Sequence, residues 1–202
     1  MLNRLAKAGL AGKLAGLVFL AAVPASALET PADDRDKMKA CEKQLCMIVL
    51  KKETAGDDLK CDIGRTWEKS QIVDGVKEKK ISWTFGDARC TINVNLKRQA
   101  IVDAMTRPSY DLVADKHTFK CKIERSEGIT DVNVDAAPKM SFKGGKVDKI
   151  WLNVSNIEAP TLIKGAIWTA AKLEDNFGLF HSEMVKETNK LITQRCAKNY
   201  GS

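Results

Sequence analysis

The chain has 202 residues, with 33 Lys and Arg against 26 Asp and Glu, six cysteines and two histidines. The formal charge is +7, yet acidic and basic residues intersperse along most of the length and no arginine-rich face with interleaved aromatics occurs, which argues against a surface that tracks nucleic acid. Two histidines without an HExxH or comparable cluster point away from catalytic zinc, no glycine-rich phosphate loop is present, and no cofactor is expected.

The first 27 residues have the order of an export signal. Arg4 and Lys7 precede an apolar run over 14–23, and Ala25 and Ala27 stand three and one residues before the polar segment opened by Leu28-Glu29-Thr30. That arrangement predicts a secretory signal peptide cleaved after Ala27. An apolar run of about ten residues is half of what spans a bilayer, so 28–202 is expected to be a single exported domain with no stable membrane span. Loss of Arg4, Lys7 and Lys13 would lower the charge to +4.

Export also decides how the cysteines are read. Cys41, Cys46, Cys61, Cys90, Cys121 and Cys196 all lie beyond the leader, and an even number of thiols in an oxidising compartment predicts disulfides.

After Pro31, residues Met38, Cys41, Leu45, Ile48 and Val49 recur at helical spacing, predicting a helix over 33–52 that ends before a turn at 55–58. In this helix Cys41 and Cys46 are separated by about 140° around the axis. They should therefore reach different partners. Short runs follow and read as strands: 65–73, 80–85 with Ile81, Trp83 and Phe85 on one face, and 90–96 with Cys90, Ile92, Val94 and Leu96 alternating against polar neighbours. One or two helical turns are expected over 99–105. Further strands are predicted around Phe119, Cys121 and Ile123, over 129–134, over 140–143 and over 147–154, with Gly144-Gly145 as a hairpin tip. From Ile163 to Leu191 the apolar period is helical throughout, predicting one helix of about 35 residues, about 50 Å long, kinked near Gly178. The fold class is α+β: an N-terminal helix, a meandering antiparallel sheet of six to seven strands and a long C-terminal helix packed on it.

Cys90 and Cys121 each sit on the apolar face of a predicted strand, so a cross-strand bridge between them is the first expectation. Cys46 with Cys61, and Cys41 with Cys196, would complete the set. His117 and His181 are read as satisfied or exposed, Ser141 and Ser182 lack a nucleophile elbow, and Asp57-Asp58 and Glu174-Asp175 as a solvated turn and helix face. Asn153-Val154-Ser155 matches a glycan acceptor triplet but falls inside a predicted strand behind a leader of bacterial type, and is read as chance. In 150–154 the aliphatic residues take one face and leave Trp151 on the other, where either the first helix covers it or it marks a contact surface.

A long helix gripped by a bent sheet can leave an apolar cavity between them. Trp151, Trp168, Phe177 and Phe180 are the candidate lining residues. The expected function is that of a periplasmic or secreted bacterial binding or accessory protein without catalytic machinery, its partner an envelope protein or a small apolar molecule. The competing class is an envelope enzyme using a thiol or a carboxylate.

Overall fold

The computed structural model describes residues 28–77, 82–177 and 181–201, except for the side chains of 173, 174, 176 and 177. The expected signal peptide, the start of the strand expected over 80–85 and the kink near Gly178 therefore lie outside the described residues. Helix α1 (Asp34–Lys51) is followed by β1 (Leu59–Trp67), α2 (Lys69–Lys77), β2 (Ala88–Leu96), α3 (Arg98–Thr106) and β3 (Ser109–Val113). Next come β4 (His117–Arg125), β5 (Gly128–Ala136), β6 (Lys139–Lys143), β7 (Lys146–Trp151) and β8 (Val154–Glu158). Helices α4 (Thr161–Phe177) and α5 (His181–Lys190), a π-helical turn (Leu191–Arg195) and α6 (Cys196–Tyr200) complete the chain.

The fold is α+β, as the sequence predicts, but its strands form two antiparallel sheets instead of one. Five strands run in the order β1-β2-β4-β5-β8, and three in the order β3-β6-β7. Two cores form, the first shared by the three-stranded sheet and the β1–β2 end of the five-stranded sheet. Ile48 and Val49 of α1, Ile101 and Val102 of α3, and Phe142, Val147 and Ile150 of the three-stranded sheet meet in the first. Ala88, Ile123, Val132 and Ile163 centre the second. Strand β2 serves both: Ala88 belongs to the second, while Val94 and Leu96 pack against the first. Its ladder with β4 stops at Thr91 and Lys120 for that reason.

His117 fills the fork where β2 and β4 part. Its Nε2 accepts the Asn95 N–H at 3.0 Å, so the ring proton sits on Nδ1 and is donated to the Asp115 carbonyl at 2.5 Å. A buried imidazole with both nitrogens engaged is a satisfied one.

Three local expectations are corrected. The run 65–73 is not a strand: β1 ends at Trp67, and Ile72, Val73 and Val76 fall at helical spacing in α2, whose first N–H is capped by Asp87 Oδ1 at 2.8 Å. Residues 82–87 form a loop instead of a strand, pinned to β4 because Gly86 and Asp87 donate to the Glu124 carbonyl and carboxylate at 2.9 and 3.1 Å. The run 147–154 is two strands in different sheets. Asn153 turns the chain between them at φ +50°, and Asp175 Oδ1 accepts the N–H groups of Leu152 and Asn153 at 2.9 and 3.4 Å.

The C-terminal helical period is likewise divided between the sheets, with α4 lying on β8 and α5 on β7. Asn189 of α5 acts as a strand surrogate, since its side-chain amide accepts from and donates to the Val147 backbone, both at 2.8 Å. The Cys196 N–H then bonds to Leu191 O, five residues back. This wider turn shifts the helix phase so that α5 faces the sheet while Cys196 faces α1.

All six cysteines are paired, Cys41 with Cys61, Cys46 with Cys196 and Cys90 with Cys121. Cys90 and Cys121 are opposed in the β2–β4 register, as expected. The pairings Cys46–Cys61 and Cys41–Cys196 are corrected. Cys41 lies on the side of α1 that rests on β1, whereas Cys46, one turn and a half further on, is turned toward α6 and fully buried.

Candidate functional site

Strands β2, β4, β5 and β8 present one apolar face toward α4. Ala88 and Cys90 alternate outward from β2, Phe119, Cys121 and Ile123 from β4, Val134 and Ala136 from β5, and Val154 from β8. Opposite it α4 contributes Ile167, Ala170 and Ala171, with Trp83, Pro138 and Leu152 at the margins. Between them lies a cavity of about 370 Å³.

The cavity exists because the helix is fixed at both ends and thin in the middle. At the start of α4 Ile163 is fully buried in the second core. Asp175 ties the other end to the Leu152–Asn153 turn. Between these anchors Ala170 and Ala171 stand where longer side chains would fill the space. Every lining residue is apolar; the one indole N–H among them, that of Trp83, is spent on the Gly86 carbonyl at 2.9 Å. Trp83 also packs edge to face with Phe85, ring centres 5.1 Å apart. The Cys90–Cys121 bridge forms part of the wall.

Of the residues nominated by sequence, Trp168 follows Ile167 but faces outward, 36 % exposed, with the Lys172 ammonium 5.7 Å from its ring. Trp151 is half-buried on β7, and Lys139 lies over its ring at 5.3 Å; α1 packs on β1, α3 and α6. Phe180 and the side chain of Phe177 lie outside the described residues. Met184, from the same apolar stripe, packs into the first core. Trp83, Phe119 and Ala170 were missed as wall residues. Phe119 carried a usable signal, since it shares the alternation of Cys121 and Ile123, whereas Trp83 sits in a loop that alternation misassigns to a strand.

Ionisable groups stand elsewhere. Asp34 and His117 are the buried ones among the described residues. Asp34 receives two hydrogen bonds from the Arg89 guanidinium, which hold its carboxyl below the usual carboxylate range. Asp58 is lowered by the Arg98 backbone N–H and Lys97, and Asp111 by Lys139 and Ser141. All three are carboxylates held ionised, which suits structure more than proton transfer. Among the described residues no three His, Cys, Asp or Glu side chains converge as a metal site, and no helix is long and apolar enough to cross a membrane. No protein-family model, curated protein or solved structure matches this chain.

Proposed function

We propose that the chain is an exported, non-catalytic binding protein of the bacterial envelope that holds a small apolar molecule between the five-stranded sheet and α4. The observation that carries this reading is the cavity of about 370 Å³, partly open to solvent, whose lining side chains are all apolar. A space that offers no side-chain hydrogen-bond partner costs a polar guest its hydration without return, so it selects hydrocarbon. Scaled from a cavity of roughly 150 Å³ that holds benzene, it accommodates on the order of fifteen carbon atoms. No free thiol remains to act as a nucleophile, because all six cysteines are paired in disulfides. Trp168, one position beyond Ile167, points away from the cavity and has no part in the proposal.

Native mass spectrometry of protein purified from its own host tests the reading, with co-purifying mass of lipid size as the expected result. Ala170→Phe should fill the cavity and weaken retention at least tenfold, a loss of about 1.4 kcal/mol or more. Leu162→Ser, on the outer face at 77 % exposure, should leave retention unchanged. Repeated recovery of ligand-free protein, or equal retention by both variants, defeats the proposal and leaves an envelope protein at an exposed sheet face as the partner to seek.

The export half of the proposal has separate support. Leu28 is buried, and its nitrogen lies 3.0 Å from Glu124 Oε1. Cleavage after Ala27 would turn that amide into an α-ammonium seated on a carboxylate, a stronger charge-assisted contact. Intact mass of the secreted protein should therefore begin at Leu28, and Glu124→Gln should lower its melting temperature by a few degrees. A chain that begins elsewhere, or a variant that melts with the wild type, counts against it.

A further inference from the structure

The three disulfides sit in different surroundings. Cys46 and Cys196 have no exposed surface, while Cys90–Cys121 is half-buried but lies in a wholly apolar wall facing α4, without a cation among its lining residues. Cys41 and Cys61 are half-buried and line a separate groove of about 490 Å³ between α1 and β1. Four cations, Lys37, Lys43, Lys60 and Arg98, border that groove against one carboxylate, Asp62. Lys37 is paired with Asp33 at 2.9 Å, whereas the Arg98 guanidinium donates to the carbonyls of Asp57 and Glu53, both neutral acceptors. Among the described residues Lys43 and Lys60 carry no ion pair within 4.0 Å.

We propose that the Cys41–Cys61 bridge is a thiol-exchange site selective for small anionic thiols. The attacking thiolate bonds to one sulfur while the S–S bond breaks, and its electron pair leaves on the other sulfur as a thiolate, giving a mixed disulfide with no net oxidation. A second thiolate from solution then attacks the mixed disulfide, releases the oxidised small-molecule dimer and leaves two protein thiols. Cationic neighbours favour both the approach of an anionic thiol and the departing thiolate. Opening this bridge frees α1 from β1 but not from the fold, since Cys46, on the same helix, remains tied to Cys196.

The test uses the oxidised full domain at low salt with three thiols: 2-mercaptoethanesulfonate, neutral 2-mercaptoethanol and cationic cysteamine. Each rate is normalised to that of the same thiol with a neutral small-molecule disulfide. Alkylation and peptide mapping then identify the bridge that opens. Cys41–Cys61 is expected to open first, with the sulfonate roughly five- to twentyfold faster than the neutral thiol, cysteamine slowest, and the spread collapsing in 1 M salt. Lys43→Glu with Lys60→Glu, both on the groove's rim, should reverse the order of the charged thiols. Equal normalised rates, an order untouched by the double substitution, or prior opening of another bridge overturns the proposal.

Discussion

Replacing Cys46 and Cys196 together with alanine is expected to produce the largest loss of stability of any change to a single bridge. Their separation of 150 residues makes this the longest loop, against 31 for Cys90–Cys121 and 20 for Cys41–Cys61. Closing a loop that long restricts the unfolded chain by about 5 kcal/mol in the chain-entropy picture, and by about 4.8 kcal/mol once the other two bridges shorten the effective path. For a domain of this size the melting temperature should fall by roughly 10 to 20 °C. Alanine is the right probe because both positions are fully buried, where serine would add an unsatisfied hydroxyl. A loss no greater than that of the Cys90 and Cys121 double variant would mean that native-state contacts, not loop length, set the contribution of this bridge.

The bracing was legible in the sequence for two reasons that do not depend on tertiary structure. An even cysteine count behind a segment with the pattern expected of an export signal predicts disulfides, and the angular gap between Cys41 and Cys46 on a helix predicts separate partners; their partners are indeed separate. What the helix angle does not contain is which neighbour lies on which side of α1, because β1 and α6 arrive from opposite ends of the chain. The pairing was therefore settled by packing. The same distinction explains the strands. Periodic alternation marked 90–96 and the β6–β7 hairpin correctly, since both are half-buried surfaces with polar outer faces. It failed at 147–154, where alternation continues across Leu152 and Asn153 while the chain passes between sheets, a change recorded in backbone angle and in the Asp175 contacts and not in hydrophobicity.

The cavity was half legible for a related reason. The apolar stripe of the C-terminal helices is visible in the sequence, but its large members dominate that pattern, whereas the space is set by its small ones. Ala170 and Ala171 reveal a void only when the sheet opposite and both anchors of α4 are known. An aromatic residue in such a stripe marks where a core is full; an alanine between two fixed points marks where it is not.

Breaking the pair Asp34–Arg89 should cost about 3 kcal/mol, the second large effect expected. Asp34 opens α1, Arg89 lies on β2, and the bond between them passes over β1 at Gly64. The two side chains are 8 % and 15 % exposed, so neither charge is well hydrated once its partner is gone. Arg89→Met strands the carboxylate; Asp34→Asn strands the guanidinium; the double variant Asp34→Leu with Arg89→Met should recover part of the loss, because no buried charge then remains. Gly64→Ala should act in the same direction without touching either charge, since an added Cβ would stand 2.7 Å from Arg89 Nη2 and 2.9 Å from Asp34 Oδ1. Acid titration separates this mechanism from a packing defect. The Asp34 carboxyl is depressed in the folded state, so its stabilisation is complete above the unfolded value of about 3.9 and is lost as pH falls through the lower folded value. The gap in unfolding free energy between wild type and Arg89→Met should thus be full near pH 7 and narrow progressively below about pH 4. A gap that is the same at pH 7 and pH 2 would mean that Arg89 contributes through its aliphatic stem and not through Asp34.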